Sequence, residues 1–294
     1  MNRRNFMTAC GATAGAAAFF KSMAAIGAVP GDKPFAKAKL RMSAPLDWFP
    51  GANPPEKIKA AAQWGLPAYE WLGAGGDADA LRAAAEECGM ELSCTGGCGR
   101  IGPGTMVKKE DHDEVVKHFK ERVAFAKKAK CKHLVGLSGN TRTDVSIEEQ
   151  TENVIKCLKR LAPIAEDNDV LLCCEALNPL VDHKGYFLTR TDQTMAILKE
   201  VNSPNVKMLF DIYHQQITEG NVIRNFTENI ANIGHFHVAD NPGRKEPGTG
   251  ELNYKIIFRK IAETGYKDFV ALECGHSTKN YEDTLNATLA CLDF

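Results

Sequence analysis

Short apolar or β-branched runs recur eight times along this chain, each followed by a longer stretch of helical period, and this rhythm narrows the possible folds sharply. The runs fall at 40–46, 68–72, 91–95, 133–137, 170–175, 206–211, 235–239 and 269–274. Between them, Val115, Phe119, Val123 and Ala126 form one amphipathic stripe, and Val154, Leu158, Leu161 and Ile164 another. Strands alternating with helices build a parallel sheet. Eight such units in roughly 250 residues fit a closed barrel, whereas an open doubly wound sheet usually stops at five or six strands. No Gly-x-Gly-x-x-Gly turn follows an early strand, which counts against a dinucleotide fold. The expected fold is therefore α/β, a single (β/α)8 TIM barrel over 40–294 with no internal boundary.

Ahead of it, residues 1–29 read as a targeting segment. Arg3 and Arg4 precede an Ala- and Gly-rich, weakly apolar run from Thr8 to Phe20, the pattern of a bacterial twin-arginine export signal. That run is too short and too rich in glycine for a stable membrane span. The expectation is export to the periplasm or beyond, with 30–39 as a linker. Removing the segment takes away Arg3, Arg4 and Lys21 and no acid, so the remainder is more acidic than the formal charge of -1. Such a surface does not favour a polyanion, and no nucleic-acid partner is expected.

The ten cysteines are scattered through a large chain, several inside strand-like runs such as Cys173 and Cys174. They read as small core hydrophobes. Cys94 and Cys98 resemble half of a metal site, but no second Cys/His pair stands at a matching spacing.

The chemistry gathers at the late strands. Glu175 closes the fifth run, Asp211 the sixth, Glu273 lies in the last, and His237 sits near the end of the seventh. Strand ends of a barrel converge on one face, so these four residues become neighbours around one point. Three carboxylates and an imidazole suit one divalent cation, Mn²⁺ or Mg²⁺ first, with Co²⁺ or Zn²⁺ also compatible. By the period of two along a strand, Cys173, Leu209, His235 and Ala271 lie one layer beneath. His235 is there expected as a hydrogen-bonded support rather than a ligand.

Residues 185–188 (Gly-Tyr-Phe-Leu), 210–214 (Phe-Asp-Ile-Tyr-His) and the long run 233–251, with Asn-Pro-Gly-Arg-Lys-Glu-Pro-Gly-Thr-Gly-Glu at its end, closely resemble the hydroxypyruvate isomerase family. That family belongs to the xylose isomerase-like barrels, together with the ketose epimerases of the D-tagatose 3-epimerase type. The resemblance is strongest from Val170 to Glu273. It implies a metal held by Glu175, Asp211, His237 and Glu273, with Glu175 and Glu273 also placed for proton transfer in an enediolate mechanism. His214, three residues after Asp211, is expected at the barrel mouth as a substrate hydrogen-bonding group. Arg244, in the loop after the seventh strand, suits a substrate carboxylate. Glu246 is a weaker substrate-binding candidate, and Tyr186 and Phe187 are candidate pocket walls. Members of the group often associate, so a homo-oligomer is a further expectation.

One departure bears on substrate: hydroxypyruvate isomerases often carry Gln where this chain has His237, whereas the ketose epimerases carry His. The leading expectation is isomerisation of a small 2-keto acid, with ketose epimerisation as its rival. An abasic-site endonuclease on the same barrel type would need more histidines at strand ends and a phosphate-binding surface. A non-catalytic exported sugar-binding protein would have no need of both glutamates.

Overall fold

The computed structural model describes residues 31–294 apart from residue 74. The segment 1–29, read as an export signal, lies outside the described residues. Eight parallel strands close into one barrel in chain order: β1 (Arg41–Pro45), β2 (Ala68–Trp71), β3 (Glu91–Cys98), β4 (His133–Gly136), β5 (Leu171–Glu175), β6 (Val206–Asp211), β7 (Ile233–Val238) and β8 (Phe269–Leu272). Each falls at one of the eight expected runs. The ring is sealed where β1 pairs with β8, Arg41 opposite Phe269 and Ser43 opposite Ala271.

Nine α-helices wrap the described barrel: α1 (Pro54–Ala62), α2 (Ala78–Cys88), α3 (His112–Ala129), α4 (Ile147–Asp167), α5 (Thr191–Val201), α6 (Ile212–Thr218), α7 (Val222–Asn229), α8 (Tyr254–Glu263) and α9 (Tyr281–Leu292). Six of them start at a side chain that accepts from an otherwise unpaired backbone N–H group. Asn53 accepts from Glu56, Asp77 from Asp79 and Ala80, and Ser146 from Glu149. α2 ends at Gly89, whose positive φ of 65° suits a left-handed cap. Among the described residues, no helix is long and apolar enough to cross a membrane.

Two apolar layers result. The larger lies between strands and helices, where Phe226 meets Phe210 and Phe236 edge-on and those two meet at a tilt, at centroid distances of 5.7–6.1 Å. The smaller fills the barrel itself with Cys94, Val135, Cys173 and Leu209. Cys173 and Leu209 thus sit beneath the strand-end acids, as the strand period requires. All nine cysteines of the described residues are free thiols.

The described part of the expected linker is packed against the barrel. Pro34–Lys37 forms a 3-10 turn, Phe35 is buried, and its N–H donates to Trp64 O. The apolar Phe35 within an otherwise polar stretch accounts for this docking.

Candidate metal centre and active site

Glu175 is the last residue of β5, Asp211 the last of β6, His237 the penultimate residue of β7, and Glu273 directly follows β8. Parallel strands deliver all four to the same end of the barrel. One potential ligand atom from each lies within 4.8 Å of every other. Donors on opposite sides of an Mg²⁺-sized ion span about 4.2 Å, so this cluster approaches a coordination shell.

Each side chain is held by its surroundings. Asp211 also begins α6: its Oδ1 accepts from His214 N at 3.1 Å, which leaves Oδ2 turned toward the cluster. His237 Nδ1 stands 3.0 Å from Glu273 Oε2 and 3.5 Å from Glu175 Oε1. Within the protein, His237 Nδ1 and Glu175 Oε1 are buried without a hydrogen-bond partner. Two unpartnered buried donors facing one point fit a bound cation.

The charges are strongly interdependent. Burial pushes the Glu175 carboxyl up to about 7, against the pull of His237 and with the help of the nearby Glu273 and Asp211 charges. Burial acts the same way on Glu273, but His237 and Arg244 together outweigh it and hold that carboxyl far below the usual range. Burial disfavours a charged His237, yet the surrounding Glu70, Glu273 and Glu175 outweigh it and raise its pKa well above the ordinary imidazole value. Environment therefore separates two chemically identical carboxyls.

The other expected site residues divide into two groups. Arg244 joins the cluster, its Nη2 donating to Glu273 Oε2 at 2.6 Å and to Asp211 Oδ2 at 3.3 Å. Its guanidinium also lies over the Tyr213 ring, 5.3 Å from the centroid. His214 also joins it, beside Asp211 at the end of β6, but buried rather than open to solvent: its Nδ1 accepts from Asn178 Nδ2 at 2.7 Å, and Nε2 lies 3.5 Å from Asp211 Oδ2. α6 starts immediately after Asp211, and its first turn winds His214 inward. Glu246 stays apart. It is buried, and both its carboxylate oxygens accept from Ser277, which ties the β7 loop to the β8 loop.

Tyr186 and Phe187 are buried packing residues and do not line the cavity beside the two glutamates. The Tyr186 hydroxyl accepts from Ser138 N and donates to Glu175 O, and Phe187 is buried in the main core. The cavity beside the two glutamates, about 300 Å³, is walled by Leu72, Ile101, Val135, Leu137 and the Gly96–Gly97 backbone, with His118 and Arg122 as polar members of its lining. Its main side lies over β2 to β4, opposite the strands that bear the ligands.

Asp240 organises the loop that carries Arg244. Its fully buried carboxylate accepts from the N–H groups of Asn241, Gly248 and Leu252 at 2.9–3.1 Å. Replacing Asp240 by Ala orphans these donors and is expected to destabilise the chain by about 3 kcal/mol, roughly 1 kcal/mol per lost partner. Chemical denaturation measures this directly, and an unchanged midpoint would remove Asp240 from that role.

Sequence reasoning missed Glu70 in β2, which bonds both His235 and His237, and Asn178, which holds His214. The available signal for Glu70 was an acid inside an otherwise apolar strand run. His235 is a hydrogen-bonded support, as the strand period suggested.

Comparison with known proteins agrees with this architecture. The family described as xylose isomerase-like TIM barrel matches residues 58–293. A human protein provisionally named hydroxypyruvate isomerase is 32% identical over 253 residues, which cover 80% of this chain and 90% of the human one. The Escherichia coli hydroxypyruvate isomerase is 34% identical over 151 residues, 51% of this chain and 58% of its own. Among solved structures, an AP endonuclease of family 2 from Brucella melitensis superposes with a TM-score of 0.74 at 24% identity, covering 84% of this chain and 96% of that one, a likeness of fold. The chain belongs to the xylose isomerase-like TIM barrel family and, within it, to the hydroxypyruvate isomerase family of isomerases.

Proposed function

We propose that this chain is a metal-dependent isomerase of a small 2-keto acid, shifting the carbonyl between adjacent carbons through an enediolate, as between hydroxypyruvate and tartronate semialdehyde. The observation that carries this reading is the placement of Glu175 and Glu273 on one cavity, with the unpartnered His237 Nδ1 beside both. Glu175, Asp211, His237 and Glu273 would hold the cation, Mn²⁺ or Mg²⁺ by donor type, with Co²⁺ or Zn²⁺ also compatible. A cation there supplies a template and a Lewis acid for the substrate oxygens.

The chain's own residues supply the rest. One glutamate would take the proton from the hydroxyl-bearing carbon beside the carbonyl, the hydroxyl proton would pass to the former carbonyl oxygen, and the other glutamate would return a proton to the former carbonyl carbon; the pair is interchangeable in direction. Arg244 offers a guanidinium to the substrate carboxylate. His214 Nε2, buried and without a hydrogen-bond partner in the protein, offers a contact to a substrate oxygen. The apolar walls keep water from the reacting carbons.

His237 is the specific observation in favour of the second reading, ketose epimerisation of the D-tagatose 3-epimerase type, because that branch carries His at this place. The two separate in one experiment. The purified chain is stripped with chelator, reloaded with Mn²⁺ or Mg²⁺ and given hydroxypyruvate and a panel of ketoses in deuterated water. Metal-dependent conversion of the keto acid with deuterium incorporation is expected, whereas exchange confined to ketoses would select the epimerase. Metal binding without exchange on any of these compounds would leave a binding protein. The Arg3–Arg4 pattern supports export as part of the same proposal.

Metal affinity is expected to fall with pH. Glu175 gains its proton as pH drops through about 7, and His237 holds its own more tightly than a free imidazole. Protons therefore compete for the ligand atoms on the acid side, and each displaced proton changes the apparent affinity by about tenfold per pH unit. Mn²⁺ titrations at pH 6 and 8 should differ by at least about tenfold, with weaker binding at pH 6. Equal affinities would contradict these residues as ligands.

A further inference from the structure

A carboxylate in a barrel interior loses its hydration and persists only where the surrounding groups use its charge. Glu70 is such a group: it lies in β2 and is 2% exposed. Its Oε1 stands 3.0 Å from His235 Nε2 and 3.1 Å from His237 Nε2, and both rings are fully buried. β2 and β7 are not neighbours in the barrel, so Glu70 reaches across the interior to meet them.

The contact fixes a proton. A carboxylate oxygen only accepts, so each ring presents a protonated Nε2 to Glu70. For His237 this leaves Nδ1 turned to Glu175 and Glu273, without a hydrogen-bond partner. The ring is thereby held in both rotation and tautomer by an atom outside the ligand cluster. His235 leans on the same oxygen from the layer beneath, with its ring edge-on to that of His237 at 5.1 Å.

We propose that Glu70 is a positioning residue for the metal centre, holding the His237 ring so that Nδ1 faces the ion and strengthening that nitrogen as a donor through the Nε2–H bond. A carboxylate behind a ligating imidazole typically raises metal affinity 10–100-fold. The inference rests on Glu175, Asp211, His237 and Glu273 being the ligands, and adds a fifth residue from the opposite side of the barrel.

The same carboxylate belongs to a second set of donors, with Cys94 and His235, whose ligand atoms also lie within 4.8 Å of one another. The hydrogen bonds from both histidines commit Oε1 of Glu70, and the Cys94 thiol is directed toward Thr95 O in its own strand. Support for His237 accounts for these contacts better than a second ion does, and the two differ in stoichiometry.

The test is a Mn²⁺ titration of the chelator-stripped full chain, with free Mn²⁺ counted by electron paramagnetic resonance, and thermal unfolding of each metal-free variant alongside. The unaltered chain should take up one ion. Glu70→Gln keeps the shape and removes the charge, and should weaken Mn²⁺ binding about 10–100-fold. Glu70→Asp keeps the charge but withdraws it by one methylene, and should fall between the two, which decides the matter should Glu70→Gln not fold. A role confined to filling the barrel would lower the unfolding temperature and leave the affinity unchanged. Affinity within twofold of the unaltered chain in both folded variants, or a second Mn²⁺ lost with Glu70→Gln, would overturn the inference. If the unaltered chain binds no Mn²⁺, the ligand assignment itself falls; if it binds and the variants match it, only the role of Glu70 falls.

Discussion

Glu273→Gln is expected to lower turnover of the keto acid by about 10³-fold or more and to abolish incorporation of solvent deuterium, and Glu175→Gln should do the same. A general acid or base alone contributes about 10²–10⁴-fold. Each glutamate is also a proposed ligand, so its loss acts twice, on proton transfer and on the site that holds the cation. Glutamine preserves size and one accepting oxygen, which separates the effect from a packing defect in the buried position of Glu175. The decisive measurement is kcat under saturating Mn²⁺ with deuterium followed by mass spectrometry. Retention of exchange in either variant would show that the carboxylate is not an obligatory proton carrier.

The second large effect concerns stability. Gly99 follows β3 directly with a positive φ of 77°, and a Cβ built there would lie 1.8 Å from Leu137 O. A side chain at that point must push apart the ends of β3 and β4, which are joined by Leu137 N donating to Cys98 O at 2.9 Å. Gly99→Ala is expected to destabilise the chain by more than about 4 kcal/mol, in the range reserved for a backbone that has to move. Gly185 supplies the comparison. Its φ is 85°, but nothing lies within 4 Å of a Cβ there, so Gly185→Ala should cost only the intrinsic left-handed penalty of about 1–2 kcal/mol. Denaturation midpoints of the two variants test the distinction, and equal losses would mean that conformation rather than collision governs both.

The barrel was legible because its signals are local and periodic. Each strand run is bounded by a helical stripe, and the strand-end positions of Glu175, Asp211 and His237 follow from that register alone. Cross-barrel relations leave no such trace. The Glu70 contact to His237 joins residues far apart in sequence, and nothing in the β2 run announces which way its acid turns. His214 stands beside Asp211 as its place three residues after a strand end suggests, but its burial and its bond to Asn178 join distant segments and leave no local trace. Glu246 lies two residues from Arg244, yet the loop sends one side chain to the cluster and the other to Ser277. Asp240 gathers three backbone groups of the same loop, and a buried organiser of this kind is indistinguishable in sequence from any other loop acid.

The pairing of β1 with β8 also governs how the chain becomes a protein. Arg41 meets Phe269, so the first strand must wait for nearly the whole polypeptide before its outer edge is covered. Until then, an incomplete chain presents open backbone at both rims of a curved sheet, a state prone to association with its own kind. A nascent chain arrested before β8 should therefore aggregate or require a holding chaperone, while release of the last strand lets the seam close and retires both edges at once.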